Sequence, residues 1–171
     1  PAAGKPPAGK ALRLLNLNPD SMAKLNAADK KKLLRTMLLS RAGDLREQSL
    51  IRQGKGWFHV SGMGHEALSV AGYLLRDGDF FSGYYRDRPI VLARGLDNYE
   101  LALAFFAKRN SASGGRQMPA HYSSRKRGIF SMASVVGASL LPATGLAWAL
   151  QLDGRAQVVL TTVGDAGTRQ G

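Results

Sequence analysis

The sequence predicts an α/β protein in which a parallel sheet carries helices on both faces. Several segments repeat apolar residues at the helical interval, and residues 156–163 (AQVVLTTV) form an apolar run without alternation. An uninterrupted apolar strand is buried on both faces, as in parallel sheets flanked by helices. We therefore expect residues 158–163 to be an interior strand. The length of 171 residues is sufficient for one domain with a core.

The first helix is predicted over residues 25–54, with Asn26 as the N-cap and Gly54 at the exit. Basic residues cover one face of this helix. The opposite face, which we expect to pack on the core, comprises residues at the helical interval: Leu34, Met37, Leu38, Arg41, Ala42 and Leu45. A shorter helix over residues 64–75 closes in the turn RDGD, and FFSGYYRDRP is expected to be a short strand that runs into a loop.

The second half of the chain alternates helices, a loop and a strand. A helix is expected to begin on Pro89, and the next has Asp97 as its cap with Glu100 three residues on, which is the capping-box spacing. Residues 109–128 lack periodicity and predict a long loop, of which residues 114–127 are expected to be mobile. Residues 137–152 predict a helix of small residues suited to close packing, and the apolar strand follows.

Residues 1–20 are rich in Pro, Gly, Ala and Lys and predict a flexible tail before a domain that spans residues 21–171. The tail has neither the apolar centre of a secretory signal nor the composition of a transit peptide, so a cytoplasmic location is expected. No apolar run approaches the roughly 20 residues of a membrane span. The absence of cysteine in the sequence excludes disulfides and thiolate metal sites.

The charge of the chain is strongly positive, with a formal net charge of +12. No acidic residue lies between Glu100 and Asp153, whereas several lysines and arginines do. This distribution is compatible with a solvated basic surface or with attraction for phosphate or an acidic partner. A basic nucleic-acid-binding module is an alternative, but no helix-turn-helix, zinc spacing or ribonucleoprotein motif supports it.

The segment Gly164-Asp165-Ala166-Gly167 directly follows the predicted strand. Ligands of open α/β sheets lie beyond the carboxyl ends of strands, so this turn is a candidate site. Its carboxylate suits Mg²⁺ bound together with substrate phosphates, and its glycines allow backbone N–H groups to approach a phosphate. A plain strand-ending turn explains the same residues, and the Gly-Lys-Ser/Thr ending of a Walker loop is missing.

Two further segments carry candidate side chains. Arg86 follows Tyr84 and Tyr85 and suits a bidentate phosphate contact, although a surface Arg86–Asp87 stretch is an equally good explanation. His121 lies in the Gly/Ser loop, where a histidine can transfer protons near neutral pH or can simply be solvated. The other two histidines, at positions 59 and 65, are given no function, since the three lack a metal-ligand spacing.

Taken together, SGMGHEALSVAGYLLRDGDFFSGYYRDRPIVLARG, GGRQMPAHYSS and the Gly-Asp turn resemble a known family. It is the α-subunit of thiamine-diphosphate-dependent 2-oxo acid dehydrogenases, and the branched-chain (2-oxoisovalerate) type is the most similar. The resemblance covers residues 25–171 and implies a thiamine-diphosphate-binding fold. The family's cofactor motif begins Gly-Asp-Gly and closes with an Asn further on. We therefore expect that the chain stops within its cofactor site and represents the N-terminal part of that domain.

The resemblance also implies roles for individual residues. Asp165 matches the magnesium ligand, His121 a catalytic position near the substrate entry, and Phe58 a substrate position. Positions matching contacts to thiamine diphosphate are Tyr84, Tyr85, Arg86, Ser134, Val136, Gly137, Gly164, Asp165, Ala166 and Gly167.

The family's reaction is the oxidative decarboxylation of a 2-oxo acid, here a branched-chain one, with acyl transfer to a lipoyl group. The implied partners are a β-subunit or fused β-region that supplies the activating glutamate, and a lipoyl-bearing acyltransferase, in a heterotetrameric enzyme of a multienzyme complex. This chain alone is then expected to be inactive. Pyruvate- or acetoin-type relatives and a non-catalytic relative are alternatives, and a eukaryotic source would imply the mitochondrial matrix.

Overall fold

The computed structural model describes residues 25–170, so the tail predicted at residues 1–20 lies outside the described part. Helix α1 spans Ala27–Arg52. Its capping box is formed by the Asn26 side chain, which accepts from the Asp29 backbone N–H at 2.9 Å, and by the Asp29 carboxylate, which accepts from the Asn26 N–H at 3.1 Å. Gly54 has a φ of +68° just past the end. The predicted start and exit of this helix are confirmed.

The buried face of α1 is not the one predicted. Leu34, Leu38 and Leu45 are 56%, 62% and 51% exposed. Arg41 and Ala42 are exposed as well, and only Met37 of the predicted face is half-buried. The buried residues of α1 are instead Leu33, Ser40, Asp44 and Glu47. The prediction was wrong because the inward face of α1 carries charged residues that pair with other buried groups. The leucines at the helical interval therefore lie on the outward face.

Helices α2 (Ser69–Leu74), α3 (Arg88–Ala93) and α4 (Asn98–Phe105) follow as expected. A 3₁₀ turn over Glu66–Leu68 leads into α2, and α3 begins one residue before Pro89. The Asp97–Glu100 capping box of α4 is present. Helices α2 and α3 approach closely at Gly72, where a Cβ atom would lie 2.7 Å from the Ile90 carbonyl oxygen.

The sheet consists of β1 (Phe80–Ser82) and β2 (Val159–Thr161), which are parallel, with Phe81 opposite Leu160. On one face Phe81 is buried with Ile90 and Val91 of α3 and Leu101 of α4. Helix α5 (Leu140–Leu152) packs against both strands, and the Ser82 hydroxyl donates to the Ser139 carbonyl before it at 3.2 Å. Neighbouring strand residues point to opposite faces, so helices cover both faces of this small sheet.

The predicted interior position of residues 158–163 is not realised in the described part of the chain. There β2 pairs with β1 alone, its three residues are half-buried, and Val158 is 47% exposed. The parallel pairing is confirmed. The burial was overestimated because residues 25–170 offer no second strand to the other edge of β2.

The long loop after α4 is irregular, as predicted, apart from a 3₁₀ turn over Arg125–Arg127. Serine hydroxyls organise it: the Ser111 Oγ accepts from the Gly115 N–H and the Ser113 Oγ from the Gln117 N–H, both at 2.8 Å. His121 and Tyr122 are buried within it. The mobility expected for residues 114–127 stays a prediction, since hydrogen bonds in one structure do not measure motion.

In the part of the chain that the structure describes, no helix combines the length and the apolar character needed to cross a membrane.

Candidate functional site

A cavity of about 450 Å³ opens at the carboxyl ends of β1 and β2. Three segments and one further side chain form its wall: residues 83–86 after β1, residues between 133 and 139 before α5, residues 162–167 after β2, and His65. This is the edge at which parallel α/β sheets bind ligands.

The cavity collects most of the residues that the sequence singled out. In its wall are Tyr84, Tyr85, Arg86, Val136, Gly137, Gly164, Asp165, Ala166 and Gly167. They come from segments about 50 and 30 residues apart in sequence, so the pairing of β1 with β2 and the position of α5 bring them together. Ser134 is not among the lining residues, and its hydroxyl lies 2.6 Å from His121 Nε2.

Hydrogen bonds between the three segments fix the shape of the cavity. The Ser139 hydroxyl donates to the Thr162 carbonyl at 3.4 Å, which joins the segment before α5 to the end of β2. The Thr162 hydroxyl donates to Asp87, whose carboxylate also accepts from the Tyr84 N–H at 2.8 Å. Asp87 thereby ties the end of β2 to the loop after β1.

Asp87 is a fully buried carboxyl group beneath the cavity, with 0% of its surface exposed. Burial raises its pKa to about 6, although the bonds from Thr162 and Tyr84 and the nearby His65 act in the opposite direction. Its Oδ1 atom and the Nδ1 atom of His65 are both buried without a hydrogen-bond partner among residues 25–170. The surface position considered for Asp87 from the sequence was therefore wrong.

Arg86 is exposed and contributes an uncompensated positive charge to the cavity wall. Its Nη1 atom donates to the Ser61 carbonyl at 2.6 Å, and within residues 25–170 no carboxylate lies within 4.0 Å of it. Beside it, burial and the neighbouring Asp87 raise the pKa of the Tyr84 hydroxyl, so Tyr84 stays protonated and can donate to an anion.

The turn after β2 leaves its carboxylate open to the cavity. The Asp165 carbonyl accepts from the N–H and the hydroxyl of Thr168, at 3.3 and 2.6 Å, which closes a 3₁₀ turn over Ala166–Arg169. Gly167 is required by close packing, since a Cβ atom there would lie 2.7 Å from Val163 Cγ2 and 3.2 Å from Val136 Cγ1. A Cβ atom at Gly164 would meet open space.

His121 is not in the wall of this cavity, and contacts at both ring nitrogens hold it in one orientation. Its Nδ1 atom is 3.0 Å from the Pro119 carbonyl, which can only accept, so Nδ1 carries the proton of the neutral ring. Its Nε2 atom is 2.6 Å from the Ser134 hydroxyl. Its ring centroid lies 6.1 Å from that of Tyr85. His121 therefore contacts the cavity through Tyr85 rather than directly.

A larger cavity of about 670 Å³ lies between α4 and residues 110–131. His121 is the one predicted site residue in its wall. The smaller cavity is the better candidate site because it combines a guanidinium without a carboxylate partner in the described part of the chain, a carboxylate and glycine backbone at the end of two parallel strands.

Phe58 lies elsewhere, in a shallow concavity with Gln48, Ile51 and Trp57. The structure does not bring it to the candidate site. His65, to which the sequence gave no function, does line the cavity. Its position follows from the turn before α2, where the His65 N–H donates to the Gly62 carbonyl, and no local sequence pattern signals that contact.

A second cluster, which we call the α1 charge cluster, comprises Asp44, Glu47, His59 and Arg88. The His59 ring lies between the two carboxylates: Nδ1 is hydrogen-bonded to Glu47 Oε2 at 3.2 Å, whereas Nε2 lies 3.1 Å from Asp44 Oδ1 without hydrogen-bond geometry. Among residues 25–170 these three are the group whose ligand atoms lie close enough for a metal, within 4.8 Å of one another. Arg88 Nη1 already binds Glu47 at 2.7 Å, so a cation compensates this acidic pair.

Comparisons with known proteins show the family to which the chain is similar. The family described as dehydrogenase E1 component matches residues 34–171. The chain is 38% identical to the 2-oxoisovalerate dehydrogenase subunit alpha of Bacillus subtilis (strain 168), over 81% of this chain and 43% of that protein. It is 33% identical to the mitochondrial 2-oxoisovalerate dehydrogenase subunit alpha 2 of Arabidopsis thaliana, over 70% of this chain and 26% of that protein. It is also 32% identical to the pyruvate dehydrogenase E1 component subunit alpha of Bacillus cereus, over 95% of this chain and 43% of that protein. The chain thus spans less than half the length of these relatives.

Proposed function

The chain belongs to the dehydrogenase E1 component family, and from this premise we propose that it forms part of the α-subunit of a 2-oxo acid dehydrogenase. The cavity at the ends of β1 and β2 would hold the diphosphate end of thiamine diphosphate. One observation carries the proposal: the exposed Arg86, which has no carboxylate within 4.0 Å among residues 25–170, and the Asp165 turn line the same cavity.

The residues present fit such a group. A volume of about 450 Å³ lies within the range of small-molecule pockets. The Arg86 guanidinium and the Tyr84 and Tyr85 hydroxyls supply donors for phosphate oxygens, and the buried, unpartnered Nδ1 atom of His65 is one more polar group in the wall. Val136 offers an apolar surface 46% exposed, which suits a ring.

The proposed roles follow from the chemistry of each group. Arg86, the tyrosines and the backbone of residues 164–167 would bind the phosphates, and Asp165 would hold Mg²⁺ jointly with phosphate oxygens. One carboxylate is insufficient for Mg²⁺, which keeps near-octahedral oxygen coordination, so metal and diphosphate are expected to bind together. Thiamine diphosphate, when bound, supplies the nucleophilic carbon and the electron sink that decarboxylation of a 2-oxo acid requires.

His121 is not in the cavity wall, but its ring centroid lies 6.1 Å from that of Tyr85, which is, and on this ground we propose it as a proton carrier at Nε2. Its Nδ1 proton is engaged by Pro119, so Nε2 is the nitrogen that exchanges a proton, with Ser134 as its resting partner. The predicted contact of Phe58 with substrate is not part of this proposal, since Phe58 lies outside the cavity.

We further propose a branched-chain 2-oxo acid as the substrate, because the 38%-identical relative is named for 2-oxoisovalerate. Pyruvate is the second candidate, because a pyruvate dehydrogenase subunit matches 95% of the chain. The partners proposed with this activity are a β-subunit that completes the site and a lipoyl-bearing acyltransferase that takes the acyl group.

The test is calorimetric titration of thiamine diphosphate with Mg²⁺ into the natural protein, purified with any partner subunit that it carries. Arg86→Ala removes a charge-assisted bond and is expected to weaken binding about 10- to 150-fold. Asp165→Ala should weaken it only when Mg²⁺ is present. Arg109→Ala, which removes an exposed arginine outside the cavity, is the control and should leave affinity unchanged. Equal affinity for the Arg86 variant and the unsubstituted protein would refute the site.

The substrate is decided on the same preparation by comparing kcat/KM for 2-oxoisovalerate and for pyruvate. A ratio above one supports the branched-chain proposal, and a ratio below one replaces it with pyruvate.

A further inference from the structure

We propose that Asp44, on helix α1, positions Arg86 for phosphate binding through the backbone of residues 61 and 62. The inference rests on the proposed function in so far as Arg86 is taken to contact the bound diphosphate. Asp44 lies outside the wall of the candidate cavity and acts through other residues, so it is a positioning residue rather than a catalytic one.

The first step of the connection is the hold of Asp44 on the segment before α2. Asp44 is 1% exposed, and its Oδ2 atom accepts from the Gly62 N–H at 2.7 Å and from the Ser61 hydroxyl at 3.2 Å. A buried carboxylate that accepts two such bonds fixes its donors more strongly than a neutral acceptor does. The position of residues 61 and 62 is therefore set by α1.

The second step is the bond from Arg86 to this segment. Arg86 Nη1 donates to the Ser61 carbonyl at 2.6 Å, and this is the one hydrogen bond of its side chain within the described residues 25–170. The two backbones are also in close contact, since a Cβ atom at Gly62 would lie 2.8 Å from the Arg86 carbonyl oxygen. A shift of residues 61 and 62 would thus release the Arg86 side chain from its one hydrogen-bond partner among residues 25–170.

The remaining members of the α1 charge cluster take no part in this connection. Asp44 Oδ1 lies 3.1 Å from His59, and Glu47 pairs with Arg88, which also donates to the Asn98 side chain at 2.7 Å. Glu47 makes no bond to residues 61 and 62. Truncation of Glu47 therefore disturbs the same cluster on the same helix but leaves the connection intact, which makes it a matched control.

The expected effect is a loss of preorganisation. When Asp44 is truncated, the Arg86 side chain is expected to sample several rotamers. Binding of the phosphate must then immobilise this long side chain, which costs conformational entropy. This corresponds to about 3- to 10-fold weaker binding of thiamine diphosphate. Asp44→Asn keeps a carbonyl oxygen for the Gly62 N–H and should restore most of the affinity.

The experiment measures two quantities: the dissociation constant of thiamine diphosphate with Mg²⁺, and the melting temperature. Each substitution is made both in the natural protein and in the Arg86→Ala variant. Asp44→Ala should weaken binding about 3- to 10-fold when Arg86 is present and have no further effect when Arg86 is absent, because the only route is through Arg86. The melting temperature should fall in both backgrounds. Glu47→Ala should lower the melting temperature and leave affinity unchanged.

Three outcomes would overturn the inference: an equal loss for Asp44→Ala in both backgrounds, an equal loss for Glu47→Ala, or no loss for Asp44→Ala with Arg86 intact. If Asp44→Ala does not fold, Gly62→Ala displaces the same backbone and must show the same dependence on Arg86. The proposed function fails separately, if Arg86→Ala alone leaves the affinity for thiamine diphosphate unchanged.

Discussion

At the scale of single residues, Asp87 shows how burial changes the chemistry beneath the candidate site. Its pKa is raised to about 6 because the carboxyl group has no contact with solvent. The folded state therefore favours the protonated form relative to the unfolded chain, whose value is 3.8. The resulting stabilisation is fully present below pH 3.8 and is lost as the pH rises through 6.

We predict that Asp87→Asn removes this pH dependence. Between pH 4 and 7.5, the free energy of unfolding of the variant should rise by about 3 kcal/mol relative to that of the unsubstituted protein, which is the shift of about two pH units converted at 1.36 kcal/mol per unit. Thermal unfolding across this range measures it. Asp77→Asn, in the exposed turn after α2, is the control, and its free energy of unfolding should change with pH in the same way as that of the unsubstituted protein. If the free energy of unfolding of Asp87→Asn also follows that of the unsubstituted protein across this pH range, the prediction is contradicted.

Sequence reasoning singled out residues that the structure places in the wall of one cavity, such as Arg86 after two tyrosines and Asp165 between Gly164 and Ala166, while their roles stay predictions. It missed His65 and misjudged Asp87, because their importance comes from burial and from contacts across the fold. Asp87 receives a bond from Thr162, which is 75 positions away, and no local pattern reports such a contact.

At the scale of elements, local signals fixed where helices begin but not which face they bury. Both capping boxes, at Asn26 and at Asp97, are present as expected, since capping depends only on neighbouring residues. The inward face of α1 was mispredicted because Asp44 and Glu47 are paired in the interior, and hydrophobic periodicity assumes that charges point outward.

Packing between α2 and α3 gives a prediction at this scale. Gly72→Ala should lower stability by about 1–3 kcal/mol, because the added Cβ would lie 2.7 Å from the Ile90 carbonyl and 3.1 Å from Ala93 Cβ, and backbone must shift to admit it. Leu74→Ala, on the same helix at a position 54% exposed, should change stability by less than about 0.5 kcal/mol. Melting temperatures of the two variants decide it, and an equal shift for both would rule out close packing at Gly72.

At the scale of the whole molecule, α5 presents two unlike faces. Ala143 and Leu150, seven residues apart, are 3% and 4% exposed and lie toward the sheet. On the opposite side, Leu141, Trp148 and Leu152 are 83%, 65% and 73% exposed, and a Cβ atom at Gly145 would meet nothing within 4 Å. Exposed apolar side chains in one stripe mark an association surface. The small-residue helix predicted over residues 137–152 is present as α5, and no element among residues 25–170 covers its outer stripe.

We predict that this stripe packs against the proposed partner subunit. Replacement of Leu141 and Trp148 together by serine should raise the dissociation constant of the assembly at least tenfold, since each large apolar side chain contributes about 1.5–3 kcal/mol when buried. Sedimentation velocity over a range of protein concentrations measures the change. Gln151→Ser, exposed on another side of α5, is the control and should leave assembly intact. The serine variants should keep the helical content of the unsubstituted protein, because neither position contacts the sheet side of α5. Unaltered assembly with Leu141 and Trp148 replaced would mean that the stripe lies outside the subunit interface.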